Sequence, residues 1–236
     1  MSERHVVVGI DGSIISTRAQ DAAVEEAVRR SVPLEIVCAV PDPDVAGPLL
    51  ATSAARVRTR HPDLTMRLSA VAADPAEALA RKGERAALTV VGTRALGGLA
   101  SLASPSVARR VVERTRCPLL VVGAGHLPYH ARTGDVLLAV ETDADIEAAV
   151  FAHEEAARRG VRLRLVHTPL YRPPVRSADS LIAATADACV VVIAHHPHGN
   201  GNRHGNGGSR HEQTAHALLH RSRCPVFVVP AGLGTH

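Results

Sequence analysis

The sequence predicts an α/β protein built as two tandem domains, each a doubly wound parallel sheet. Two observations lead there. Short β-branched runs alternate with helix-patterned stretches, the signature of β-α-β units, and the second half of the chain repeats the first. "AVRRSVPLEIVCAV" (Ala27–Val40) is matched by "AARRGVRLRLVHT" (Ala156–Thr168), and "TRCPLLVV" (Thr115–Val122) by "SRCPVFVV" (Ser222–Val229). A weaker match pairs "VVVGIDGS" (Val6–Ser13) with "LLAVETD" (Leu137–Asp143). Three matches in one order imply a duplication. The first domain is expected over 1–124, a linker over 125–134 and the second domain over 135–236.

In the first copy, strands are expected at Val6–Ile10, Leu34–Val40, Leu64–Val71, Leu88–Gly92 and Leu119–Gly123, each a β-branched or aliphatic run. Between the first two, Ile15, Ala19, Ala22, Ala23 and Ala27 fall on one face of a helix. Later helices are expected to start near Pro48, near Pro75 after the capping residue Asp74, and near Ser106. This makes a five-stranded sheet covered on both faces.

The second copy reads strand (Val136–Val140), helix (about Ala144–Arg159) and strand (Val161–His167), and then the match stops. A proline-broken stretch, "TPLYRPPVR", stands where the first copy has a helix and its third strand. A helix near Ala178–Thr185 and strands at Ala188–Ala194 and Val226–Val229 follow, so about four strands are expected. If the deleted strand was the sheet edge, the rest still pack.

Composition narrows the function classes. Only 2% of residues are aromatic and there is no Trp, so the core must be Val, Leu, Ile and Ala, which suits close-packed layers better than a deep aromatic pocket. The net charge is +4, but basic residues are scattered among acidic ones and nearly all are Arg, Lys82 being the one Lys. The densest run, Arg109, Arg110, Arg114 and Arg116, is broken by Glu113 and reads as a solvated helix face. Nucleic-acid binding would want a clustered basic face with stacking aromatics, and these are missing. Cys38, Cys117, Cys189 and Cys224 lie in or beside apolar runs without CxxC spacing and read as buried thiols of a reducing compartment. No apolar run is as long as a membrane span, and strand-like sequence begins by His5, so a cytoplasmic location without membrane contact is expected.

Two turns carry the chemistry. Asp11 ends the first strand, at the carboxyl edge where open α/β sheets hold ligands; the alternative is that Asp11 or Ser13 caps the following helix. Gly92 ends the fourth strand, and Gly97 and Gly98 precede a helix starting near Ser106. A glycine loop feeding a helix N-terminus offers backbone amides to phosphate, although glycines also occur wherever a chain turns. No GxGxxG is present at the first turn.

The order of elements, "VGIDGS" near the start, "VVGTRALGGLASLASPSVARRVV" and the closing "RCPLLVV" resemble the universal stress protein (UspA) superfamily, over the first 123 residues and, in skeleton, over the second copy. The resemblance implies a Rossmann-like, adenine nucleotide alpha hydrolase-like fold and a role in stress response. It also implies ATP or another adenine nucleotide, with Mg²⁺, as ligand. ATP-binding members carry G-x2-G-x9-G-[S/T]; the matching positions here are Gly92, Ala95, Pro105 and Ser106, so two of three glycines are replaced. Ala95 adds one methyl. Pro105 removes a backbone N–H and fixes φ where phosphate would be met, while remaining a good first-turn residue. By the same resemblance Asp11 and Val40 line the adenine and ribose position and Ser106 faces phosphate; Arg94 and Gly97 belong to the same loop, with Arg94 adding charge.

In the second copy Glu141, Ala139 and Ala194 replace Asp11, Gly9 and Gly92, and nucleotide binding is not expected there. Its His/Gly/Asn-rich insert, 195–211, carries His195, His196 and His198, residue types that ligate Ni or Zn. Interspersed Gly and Asn read instead as a solvated low-complexity loop. His153 falls on the apolar side of its helix and is expected half-buried.

Members of the family commonly dimerise through their last strands. "PLLVVG" and "PVFVVP" would do so within this chain, as an intramolecular pseudo-dimer, with a homodimer as the intermolecular counterpart and a regulatory protein as the macromolecular partner. Two functions stay open, a nucleotide-binding stress regulator and a scaffold of the same fold that has lost its ligand. No set of nucleophile, base and orienter points to an enzyme; weak ATP hydrolysis would rest on Asp11 and Ser106 positioning metal and phosphate.

Overall fold

The computed structural model describes residues 4–93, 106–131, 133–140, 145–167, 174–196 and 210–232. The elements run β1 (Val6–Gly9), α1 (Ile14–Arg30), β2 (Leu34–Ala39), α2 (Gly47–Arg60), β3 (Met66–Val71), α3 (Pro75–Gly83), β4 (Leu88–Thr93), α4 (Val107–Val112) and β5 (Leu119–Gly123). The second copy follows with β6 (Asp135–Val140), α5 (Ile146–Arg159), β7 (Leu163–His167), α6 (Pro174–Ala184), β8 (Ala188–His195), α7 (Arg210–Arg221) and β9 (Val226–Pro230).

The nine strands among the described residues form one sheet in the order β3-β2-β1-β4-β5-β9-β8-β6-β7. The expected five and four strands are present, and the last strands of the two halves pair as expected, so the two halves join into one continuous sheet. The joint is the antiparallel pairing of β5 with β9, while the other neighbours are parallel. Each of these strands would otherwise present a row of unpaired backbone groups, and pairing them removes two edges at once. Leaving out β3, the order reads the same from both ends once β5/β9, β4/β8, β1/β6 and β2/β7 are taken as counterparts, so the two halves are related by a pseudo-two-fold axis at the β5–β9 seam.

Strand alternation feeds two core layers. Val6, Val8, Leu34 and Ile36 turn toward α1 and α2, and Val136 and Leu138 toward α5; Val7, Val37 and Val91 turn toward α3 and α4, and Leu137 and Val191 toward α6 and α7. On α1 the face of Ala19, Ala22, Ala23 and Ala27 is fully buried, and these small side chains let the helix lie close on the sheet. Ser13 caps α1 and Ser31 ends it at φ 54°; the counterpart of Ser31, Gly160, ends α5 at φ 64°.

The missing third strand of the second copy would have lain beyond β7, which is now the sheet edge, so its loss opens no gap between remaining strands. Where the expected bounds differ, the reasons are local. α6 begins at Pro174 rather than near Ala178. A proline in the first helical turn gives up an N–H that has no intrahelical partner, so Pro174 starts this helix rather than preventing it. β3 and β7 each begin two residues later than expected, at Met66 and Leu163. All four cysteines are buried and none is in a disulfide, and burial pushes the Cys117 thiol up. His153 is exposed, not half-buried. No helix among the described residues is long and apolar enough to cross a membrane.

Candidate functional site

A cleft of about 150 Å³ opens at the carboxyl ends of β1, β2 and β4. This is where the strand order reverses direction about β1, the point at which open α/β sheets take ligands. Val37, Ala39, Val91 and Leu79 make apolar walls, Pro75 and Val107 bring in the starts of α3 and α4, and Asp11 and Ser13 supply polar groups from the β1–α1 turn.

That turn is built by its own side chains. Gly12 takes φ 79°, the left-handed conformation that favours glycine. Asp11 Oδ1 accepts from the Ser13 N–H at 2.9 Å, and the Ser13 hydroxyl accepts from the Ser16 N–H at 3.2 Å. Ser13 is therefore the helix cap, and Asp11 closes an Asx turn while staying exposed at the cleft. Below it, burial and the Asp11 charge together push the Cys38 thiol up.

Two glycines bring the walls together. A Cβ on Gly92 would stand 2.7 Å from Ile15 Cγ2 and 2.9 Å from the Ile15 carbonyl oxygen, so Gly92 is where β4 lets the first turn of α1 approach. A Cβ on Gly9 would meet Leu79 Cδ1 at 2.7 Å. On the rim, Asp74 caps α3 by accepting from the N–H groups of Ala76 and Glu77, and Arg110 of α4 reaches its other oxygen at 2.6 Å. The Arg110 hydrogen bond holds the Asp74 carboxyl below its ordinary range. This pair ties the starts of α3 and α4 across the cleft.

Of the residues singled out in the sequence, Asp11 and Gly92 are brought together here. Ser106 is adjacent and caps α4, its hydroxyl accepting from the Arg109 N–H at 3.3 Å. Val40 lies just past β2 and packs on the opposite core layer; its neighbour Ala39 lines the cleft. Arg94, Ala95, Gly97 and Pro105 lie outside the described residues. Leu79 and Pro75 were not singled out as lining residues, although the apolar periodicity of α3 carries the signal for Leu79.

In the second half, β6 and β8 end in Ala139–Val140 and Ala194–His195. His196 meets the buried Asp145 carboxylate at 3.1 Å, and the His195 carbonyl accepts from the Ala231 N–H. His198 lies outside the described residues. Among the described residues no group of three or more His, Cys, Asp or Glu is arranged to hold a metal ion.

Residues 49–123 match the sequence profile of the Universal stress protein family. A universal stress protein of Mycobacterium tuberculosis strain H37Rv is 35% identical over 130 residues, 49% of this chain and 44% of that protein. A second from the same strain is 33% identical over 177 residues, 69% of this chain and 64% of that protein. The chain belongs to the universal stress protein family. The crystal structure of a universal stress protein from Archaeoglobus fulgidus covers 97% of this chain and 96% of its own with a TM-score of 0.72 at 12% identity, a likeness of fold. This universal stress protein spans less than half the length of the first curated relatives it matches.

Proposed function

We propose that the first half of this universal stress protein binds an adenine nucleotide in the cleft at Asp11 and Gly92, and that the second half is its built-in structural partner in a regulatory stress-response protein. The observation that carries this reading is the cleft itself: the apolar walls of Val37, Ala39 and Leu79 meet one carboxylate, Asp11, at the switch point of the sheet. Asp11 would accept from a ribose hydroxyl or a base amine, and the stretch between Gly92 and Ser106 would meet phosphate, with Mg²⁺ entering on the nucleotide.

Binding rather than turnover is the role proposed. Asp11 already accepts from Ser13, and the hydroxyls of Ser13 and Ser16 are engaged in the first turn of α1. A scaffold that has shed its ligand is favoured by two observations. The cleft, at about 150 Å³, is below the roughly 300 Å³ at which small-molecule pockets usually begin, and Pro105 withholds an amide.

Isothermal titration of ATP–Mg²⁺ into the full chain, with Asp11→Ala and Pro105→Gly alongside, separates the readings. Micromolar binding that is lost in Asp11→Ala supports the nucleotide site. Silence in the parent with binding restored in Pro105→Gly supports the scaffold, and silence in both removes the nucleotide from the proposal.

A further inference from the structure

We propose that the seam between the halves is keyed, so that the β5/α1 face of the first half accepts the second half and refuses a copy of itself. The key is the residue pair on the pseudo-two-fold axis. Thr115–Val122 repeats as Ser222–Val229, which makes Leu120 and Phe227 counterparts, and in the antiparallel β5–β9 ladder these same two residues face each other. The axis passes through that pair. In a homodimer a residue on the axis must meet its own kind. Fusing the halves lifts that restriction, and here one side is Leu and the other Phe.

The charged groups around the pair are symmetric, with Tyr129 added on one side, where it donates to Glu26 and lies 5.5 Å from the Arg159 guanidinium. Glu26 and Arg30 on α1 are the counterparts of Glu155 and Arg159 on α5. Their ion pairs cross the axis: Arg30 meets Glu155, and Arg159 meets Glu26 at 2.8 Å. Both carboxylates are fully buried. The two counterpart guanidiniums lie 6.0 and 5.7 Å from the Phe227 centroid, one from each half. Phe151 of α5 stands edge-on at 5.1 Å; its counterpart in the first half is Ala22. These are the two phenylalanines of the whole chain, and both come from the second half.

Volume makes the selection. A first half paired with itself would set Leu120 against Leu120, with Ala22 where Phe151 stands and no phenylalanine ring beside the arginines. A second half paired with itself would set Phe227 against Phe227 with a Phe151 on each side, in a core where even one extra methylene is felt. The ion quartet does not discriminate, because Glu26 and Arg30 would cross equally well with a second Glu26 and Arg30. The aromatic pair does, and it fits the β5/α1 face to the second half rather than to a second copy of the first. This holds whether or not the cleft binds nucleotide.

The test is a double-mutant cycle in the full chain, read by thermal unfolding of the parent, Leu120→Phe, Phe227→Leu and the transposed double variant. Each single variant is expected to lower Tm. The double variant, which restores one Phe and one Leu on the axis, is expected to recover at least half of the summed loss. If Leu120→Phe alone does not fold, a double variant that does fold is the same result. Singles that leave Tm unmoved, a double that loses the full sum, or a double that fails to fold along with Leu120→Phe each overturn the proposal.

Discussion

Gly92→Ala separates two roles that one glycine can have. The Cβ would sit 2.9 Å from the Ile15 carbonyl oxygen, about 0.5 Å inside the 3.4 Å at which ordinary contact begins, and 2.7 Å from Ile15 Cγ2. The side-chain methyl can rotate away, but the carbonyl belongs to the first turn of α1, which Ser13 and Ser16 hold with their own hydrogen bonds. The turn must therefore shift as a unit. Overpacking of this kind costs about 1–3 kcal/mol. Gly92 does not have positive φ, so alanine is tolerated by the backbone and reduces the freedom of the unfolded chain, which offsets about 0.4–1 kcal/mol. The net loss is about 1–2 kcal/mol, or roughly 2–8 °C in Tm for a chain of this size. Gly9→Ala is the control, because its Cβ meets only the tip of Leu79, and a rotamer adjustment costs about 0.5–1.5 kcal/mol, largely offset by the same gain. Differential scanning calorimetry of the two variants beside the parent is the assay. A Gly92→Ala protein as stable as the parent, or less affected than Gly9→Ala, would refute the packing role given to Gly92.

Other expectations concern the charged groups. Glu26→Gln removes a buried carboxylate that accepts from Tyr129 at 2.8 Å and from Arg159, leaving Arg29, Arg30 and Arg159 short of a partner; a loss of about 3–5 kcal/mol is expected in urea unfolding. His220 is held below its ordinary range by burial, by His216 and by Arg109, so the folded protein binds fewer protons there than the unfolded chain. Stability from this group is therefore lost as pH falls below about 6.5, the unfolded value, and His220→Gln is expected to flatten the Tm profile over that acid window. A variant with the parent's pH slope would contradict it.

Local chemistry was legible where one residue decides the outcome. Ser13 and Asp74 are caps because a short side-chain oxygen before a helix has one good use, and both sit where their sequence places them, while Ser106, read as a helix start, proves to be the cap of α4. The pairing of the last strands was legible too, because the resemblance and the repeated "RCP" segments pointed to it. The single nine-stranded sheet follows from that pairing, whereas its register, with Leu120 opposite Phe227, was not legible, since pairing between residues more than 100 apart leaves no local pattern. The buried quartet was hidden for a related reason. Glu26 and Glu155 look like solvated helix charges, and the repeat beginning at Ala27 and Ala156 stops one residue short of them. Their burial follows from the apposition of α1 and α5 across the seam. In the cleft, Asp11 and Gly92 were legible from the turn chemistry, while Ala39 in place of Val40 was a matter of which core layer an alternating strand residue faces at its end.

The central claim is that the first half's cleft is where ligand sits. Backbone amide chemical shifts of the full chain, followed by NMR while ATP–Mg²⁺ is added, test it most directly. The expected result is a set of saturable shifts confined to Gly9, Asp11, Ala39 and Gly92 and their neighbours, with Ala139 and Ala194 at the counterpart strand ends unmoved. Shifts that cluster at Ala139 and Ala194 instead, or no saturable shifts anywhere, would contradict it.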